Sequence, residues 1–337
     1  MNPKCEQLFS DFKRLKVLVV GDVMIDSYIW GKAERLSPEA PVPVVSVKSR
    51  ANRLGGAANV ALNLKALGAE PFICSVIGDD DKALEFGRLL RSEGISCEGI
   101  LRSPERVTTT KFRVFGNNVQ MLRVDEEITT PLSSQDYDRT LQMFNYILKN
   151  YTIDVVVFQD YDKGMITPAL IQAITTRAIE EGIPVAVDPK KKNFMAFKNV
   201  TLFKPNLKEL KEGLGLSKTP ETMDEVQLAL EQLQQSLQAH IAMVTLSEQG
   251  VAIRQQLGKG GYEFDTIPAL VRSIADVSGA GDTVISVASL CLALQMKPSL
   301  LARIANLAGG LVCEEVGVVP INTQKLKSEI NRLGYLD

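Results

Sequence analysis

KVLVVGD, residues 16–22, is an unbroken apolar run that stops abruptly on a glycine and an acid. Val17–Val20 show no polar alternation, which is the pattern of a strand buried on both faces. Working outward, similar runs recur at Ile73–Gly78, Asp154–Phe158 (DVVVF), Ile183–Asp188 (IPVAVD), Thr201–Lys204 and Ile241–Leu246 (IAMVTL). Helix-length segments separate them, among them Ala57–Leu67, entered through two glycines. Strands alternating with helices predict an α/β fold whose parallel sheet is covered on both faces. Such sheets bind ligands beyond the carboxyl ends of their strands. Asp22, Asp160, Asp188, Asn206 and Thr245 each follow a predicted strand, so one rim of the sheet is polar.

Two segments break this rhythm. Pro41–Lys48 (PVPVVSVK) and Val107–Asp125 read as strands with no helix between them, and Gly116-Asn117-Asn118 supplies a hairpin turn inside the second. They predict a small antiparallel sheet beside the main one, serving as a lid, as a pairing surface, or as a subdomain without function.

Composition limits the alternatives. With 337 residues, 45% of them hydrophobic, the chain can bury a large core as one big α/β domain or two ordinary ones. A net charge of −2, from 38 basic and 40 acidic residues, provides no field for nucleic acid or an anionic membrane. Apolar stretches are interrupted well short of a membrane span, and the polar N-terminal segment carries no export signal. Five scattered cysteines without CxxC give neither a disulfide framework nor a zinc site. A reduced, cytoplasmic location is expected.

The sharpest chemical signal is Asp276-Val-Ser-Gly-Ala-Gly-Asp282-Thr283, followed by the apolar helical run Val284–Leu294. Gly279, Ala280 and Gly281 let backbone N–H groups approach an anion, and the helix beginning there adds its positive dipole end. That arrangement suits charge building on a transferring phosphoryl group. Asp282, in the first turn, is placed to accept a proton from a substrate hydroxyl; the competing reading is a carboxylate that merely caps a glycine turn. Neither GxxxxGK[ST] nor a GxGxxG after the first strand occurs, which argues against a P-loop enzyme and a nicotinamide dehydrogenase.

A second constellation is Gly55-Gly56-Ala57-Ala58-Asn59. Its glycines let a ligand lie against backbone, and Asn59 both donates and accepts, as a polyol requires. Asp22 and Asp26 are candidate acceptors for sugar hydroxyls. Read alone, Gly55-Gly56 is equally an ordinary tight turn.

Together, GGAANVALNLKALG (Gly55–Gly68) and DVSGAGDT (Asp276–Thr283) resemble the two signatures of the ribokinase-like, or PfkB, carbohydrate kinases, in matching order and separation. The resemblance implies a single ribokinase-like domain over residues 1–337: a three-layer α/β sandwich with a mostly parallel central sheet and a small β-sheet lid. The lid strands are expected within 27–50 and 105–125. It further implies ATP with Mg²⁺, Asp282 as catalytic base, and Gly279, Ala280 and Gly281 as an anion hole. Asn206-Leu-Lys-Glu209 resembles the family's NxxE element, with Glu209 orienting the metal. Thr245, Ser247 and Gly250 resemble the stretch lining the nucleotide, and Asn306 and Gly309 its adenine edge.

Finer features resemble one branch, the D-glycero-β-D-manno-heptose-7-phosphate kinases: RLSPEAPVPV (Arg35–Val44), GDVMID, Asp160-Tyr-Asp-Lys-Gly164, Asp188-Pro-Lys190 and KPNLKEL. The implied reaction is phosphorylation of heptose 7-phosphate at the anomeric hydroxyl, giving the 1,7-bisphosphate for ADP-heptose and lipopolysaccharide core synthesis. Asp160 joins the expected substrate contacts. Arg35, Lys111, Arg113, Arg123, Lys163 and Lys190 are candidates for the phosphate already on the substrate; for each taken singly a solvated surface charge is the commoner explanation, and two or three of the set are expected to hold the phosphate. Many members of that branch carry a fused cytidylyltransferase-like domain with an HxGH motif. This chain has one histidine, His240, and ends at Asp337. A separate nucleotidyltransferase and a phosphatase are therefore expected as pathway partners, and a homodimer paired through the lid. Cys313–Pro320 departs from the family's usual ending. The remaining alternatives are a kinase for ribose, fructose or a nucleoside, and a sugar-binding regulator, whose expected mark is loss of the base.

Overall fold

The computed structural model describes residues 2–270 and 272–336. Its central sheet has the order β13-β12-β11-β10-β9-β8-β1-β4-β5. The strands are β1 (Lys16–Gly21), β4 (Glu70–Gly78), β5 (Ile100–Ser103), β8 (Val155–Gln159), β9 (Val185–Asp188), β10 (Leu202–Phe203), β11 (Ile241–Thr245), β12 (Val251–Gln256) and β13 (Tyr262–Ile267). From β5 to β11 every pairing is parallel, and β12 and β13 close the far edge as antiparallel strands.

Helices cover both faces, as unbroken apolar strands require. One face carries α1 (Pro3–Phe12), α2 (Ala57–Ala66), α3 (Asp81–Ser92), α8 (Ala280–Ala293), α9 (Pro298–Val312) and α10 (Thr323–Arg332). The other carries α4 (Ser134–Asn150), α5 (Pro168–Glu180), α6 (Leu207–Leu214) and α7 (Met223–Leu237). The period-2 geometry of each strand divides its side chains between two cores. Val17 and Val19 of β1 join the first, and Leu18 and Val20 the second. Around Phe203 the second core is aromatic, with Phe194 edge-on at 5.0 Å and Phe197 at 6.0 Å.

The lid is a four-stranded sheet ordered β3-β2-β6-β7. It comprises β2 (Val23–Leu36), β3 (Pro43–Gly56), β6 (Thr110–Gly116) and β7 (Val119–Glu126). The sequence reading misses the length of β2. Only Asp22 separates β1 from β2, so the chain passes from core to lid at that residue. The predicted turn is present: Asn117 (φ 53°) and Asn118 (φ 65°) both take the left-handed conformation of a two-residue hairpin. The sheet is not purely antiparallel, because β2 and β6 pair in parallel. Gly55 and Gly56 are also not a loop; they end β3, paired with Met24 and Val23, and run straight into α2. A Cβ on Gly55 would sit 2.4 Å from Asp26 Oδ2, so this close approach of lid backbone and carboxylate needs glycine. On the outer strand, Val119, Met121, Leu122 and Val124 are exposed.

Candidate active site

The expected polar rim converges on the first turn of α8. Gly279 precedes the helix with φ +81°, a conformation that favours glycine. Asp276 shapes the turn: Oδ1 accepts the Ser278 N–H at 2.9 Å, and Oδ2 accepts that of Gly317 at 3.0 Å. Gly279, Ala280 and Gly281 are half-exposed while Asp282 is buried. First-turn amides have no acceptor within their own helix; the Ala280 N–H turns back to the Val277 carbonyl at 3.3 Å, and the Gly281 N–H is left as a donor beside a sunken carboxylate.

Three side chains hold Asp282. Its Oδ2 accepts from Asn59 Nδ2 at 2.7 Å; its Oδ1 accepts from the Tyr161 hydroxyl at 2.7 Å and from Gln159 Nε2 at 3.2 Å. Burial raises its pKa to about 6, against the lowering effect of the Asn59 and Tyr161 hydrogen bonds. A carboxyl tuned that close to neutrality suits proton transfer. Asn59 Oδ1 and Gln159 Oε1 are buried without partners, two acceptors left over in the same place.

Cations stand opposite. Lys204, 2% exposed, pairs with Asp188 at 3.1 Å. A Cβ on Gly281 would lie 3.8 Å from Asp188 Oδ2 and 3.9 Å from Lys204 Nζ, so this ion pair abuts the glycine turn. Lys190 bonds Glu209 and lies 5.6 Å from the centre of the Tyr161 ring. Asn206 and Glu209 form a reciprocal capping box on α6: Asn206 Oδ1 accepts the Glu209 N–H at 2.8 Å, and Glu209 Oε2 accepts that of Asn206 at 2.9 Å. Among the described residues no three acidic, histidine or cysteine side chains converge on a common point. That donor set suits a cation held mainly by phosphate oxygens and water. Both oxygens of Glu209 are engaged, Oε1 by the Lys190 ammonium and Oε2 by the Asn206 N–H.

Several expected residues are employed differently. Asp22 is not free to receive a sugar: its carboxylate accepts the backbone N–H groups of Tyr161 (2.9 Å), Lys163 (3.2 Å) and Met165 (3.3 Å). Asp160, 1% exposed, accepts from Asp162 N at 2.8 Å and Asn193 Nδ2 at 3.1 Å. Burial raises its pKa to about 7, with the nearby Asp22 adding to the effect. Both acids build the loop after β8 rather than lining the cleft. In the lid, Arg113 pairs with buried Asp26 at 2.5 Å, and Lys111 with Asp125 at 2.9 Å. Lys111 and Arg113 do share a face of β6, as their spacing predicts. Register places Arg123 and Asp125 directly across from them, and Arg123 bonds Asp125 at 2.8 and 2.6 Å from the exposed strand β7. Arg35 is exposed near the end of β2, far along the lid.

At the far side, Thr245 ends β11 and bridges to Asn206. Ser247 (φ 54°) and Gly250 (φ 95°) form the turn into β12. Asn306 of α9 donates to the Pro268 carbonyl at 3.0 Å. Gly309 is buried against Val284 and the first turn of α8, so it sets how closely the two helices pack.

The signature segments thus meet in space, and the family comparison agrees. The chain matches the pfkB family of carbohydrate kinases over residues 14–325. It belongs to that family. Among curated PfkB-type relatives it is 37% identical to the bifunctional protein HldE of Citrifermentans bemidjiense, over 96% of this chain and 65% of the relative. It is 39% identical to the HldE of Helicobacter pylori strain J99, over 94% of this chain and 66% of that protein. The PfkB chain therefore spans about two thirds of the length of these relatives. Among solved structures, phosphofructokinase-2 from Escherichia coli in complex with potassium superposes with a TM-score of 0.75 at 18% identity, covering 95% of this chain and 99% of that one. Arabidopsis thaliana ribokinase complexed with ribose and ATP gives 0.70 at 17% identity, covering 93% and 98%. These likenesses establish the ribokinase-like fold of the PfkB chain.

Sequence reasoning misses Tyr161, Gln159 and Lys204 as members of the site. Tyr161 lies inside the Asp160–Gly164 run noted for its resemblance, and Gln159 immediately precedes it. Lys204 ends a predicted strand, as the polar rim residues do, but its neighbour Asn206 draws the attention.

Proposed function

We propose that this PfkB-family chain uses ATP to phosphorylate D-glycero-β-D-manno-heptose 7-phosphate at the anomeric hydroxyl. The observation that carries the chemistry is Asp282: a buried carboxylate in the first turn of α8, beside half-exposed backbone and held by Asn59, Gln159 and Tyr161. Asp282 takes the hydroxyl proton as the sugar oxygen attacks the γ-phosphorus. The new O–P bond forms, the bond to the β-phosphate oxygen breaks, and ADP leaves. The amides at Gly279–Gly281 and the Lys190 ammonium face the charge on the transferring group. Mg²⁺ bound with the nucleotide would neutralise phosphate charge, with Glu209 orienting it.

The sugar is supported by the Arg35–Val44 segment, which forms the far end of the β2–β3 hairpin, and by identities of 36–39% to HldE proteins. A kinase assay with ATP across heptose 7-phosphate, ribose, fructose and fructose 6-phosphate tests both parts. The highest kcat/KM is expected with heptose 7-phosphate. A higher value for another sugar replaces the substrate but keeps the chemistry, while ADP release with none of them removes the reading.

A further inference from the structure

Asp282 is the apparent chemical centre, yet its own helix does not orient it; three residues from elsewhere in the chain do. Asn59 comes from α2, while Gln159 and Tyr161 come from the end of β8 and the loop beyond it. Of the two on Oδ1, Tyr161 makes the shorter bond, 2.7 Å against 3.2 Å. Tyr161 is also the residue whose placement the surrounding loop is built to secure.

That loop is held from several sides. Asp22 lies at the end of β1, the strand adjacent to β8, and its carboxylate gathers the N–H groups of Tyr161, Lys163 and Met165. Asp160 accepts from Asp162 N and is itself tied to Asn193. Arg106 donates to the Lys163 carbonyl at 2.5 Å and to the Thr130 and Ile128 carbonyls at 3.1 Å. Lys190 covers the Tyr161 ring. A loop with this many backbone anchors places a phenol with little freedom, so the hydroxyl is preorganised towards Asp282.

We propose that Tyr161 is the positioning residue for Asp282: its hydroxyl fixes one carboxylate oxygen and favours the ionised form, and Asp22 secures Tyr161 by stapling the loop. The proposal rests on the reading of Asp282 as the base. A phenol suits the task because burial and the neighbouring carboxylates Asp282, Asp188 and Asp26 push its own pKa well above the ordinary value. It therefore stays a neutral donor throughout the working range. The other charged groups facing Asp282 are Asp188 from β9, which raises its pKa, Lys204 from the end of β10, which lowers it, and Lys190. Asn59 and Gln159 contribute dipoles only. Tyr161 is thus the titratable group that donates directly to the carboxylate without carrying charge.

The test is the pH profile of kcat/KM for Tyr161→Phe beside wild type and Asp282→Asn, using ATP and the best-turned-over sugar of the panel above. Wild type should lose activity on acidification with a midpoint near 6, since protonated Asp282 accepts nothing. Removing one hydrogen bond to the ionised form should move that midpoint upward by about 0.5–1 pH unit. The same change should lower kcat about tenfold at neutral pH. Unfolding midpoints of wild type and Tyr161→Phe, compared by circular dichroism, confirm that folded protein is assayed. An unmoved acid limb with near-normal kcat in Tyr161→Phe overturns the positioning role, provided Asp282→Asn is inactive. Near-normal turnover in Asp282→Asn overturns instead the base on which the role depends, so the two failures are distinct.

Discussion

At the residue scale the decisive feature is a carboxylate whose ionisation is contested. Burial raises the pKa of Asp282 while Asn59 and Tyr161 hold it down, leaving it at about 6. As the proposed base, a carboxylate of that strength is ionised at neutral pH and still basic enough to take a proton in the transition state. Asp282→Asn keeps the size and one acceptor oxygen but cannot take the proton. Turnover should fall by about 100-fold or more, as expected for a positioned base, with ATP binding largely retained. Calorimetric titration of ATP alongside steady-state kinetics checks both halves, and near-normal turnover would sink the mechanism. The capping alternative weighed from sequence does not describe this geometry: Asp282 lies inside the first turn, and its oxygens bond Asn59, Gln159 and Tyr161.

At the element scale the lid presents charge in a pattern that sequence spacing anticipates only halfway. Alternation along β6 places Lys111 and Arg113 on one face. Asp125 of β7 lies directly across from Lys111 and pairs with it, while Arg113, opposite Tyr28, reaches diagonally to Asp26 of β2. An incoming phosphate would have to compete with those carboxylates, so these lysine and arginine side chains are held in place as well as charged. Replacing both with Ala should raise KM for a phosphorylated sugar at least tenfold, roughly 1.4 kcal/mol of binding, while KM for ATP changes little. Equal effects on both substrates would move the phosphate site elsewhere, with Lys163 the next cation to test. Asp22 teaches the complementary lesson. Its place after a strand marks it as polar and near the cleft, but only the folded loop reveals three amide donors already directed at it.

At the scale of the whole molecule, three acids have pKa values raised by burial: Asp22, Asp160 at about 7 and Asp282 at about 6. All three bind protons more tightly folded than unfolded, where an aspartate titrates near 3.9. Stability should therefore rise as pH falls from 8 towards 5, and be lost as pH rises through 6 and 7. Urea midpoints at pH 8 and pH 6 check this, and a lower midpoint at pH 6 would contradict it. The large anatomy of the fold was legible in advance. Short unbroken apolar runs such as Val17–Val20, rich in β-branched residues, read as strands covered on both sides, and the glycine turn Gly279–Gly281 marks where α8 begins. These are local properties, carried by neighbours along the chain. The partners of Asp282 were not legible, because Asn59 lies 223 positions away, Gln159 123 and Tyr161 121. They meet because α2 packs against α8 and the first turn of α8 lies at the end of β8, and that arrangement is set by the packing of the entire chain. Sequence by itself determined the α/β class, the lid hairpin and the candidate base; tertiary structure alone decided which side chains orient that base, since no local pattern encodes contacts over such separations.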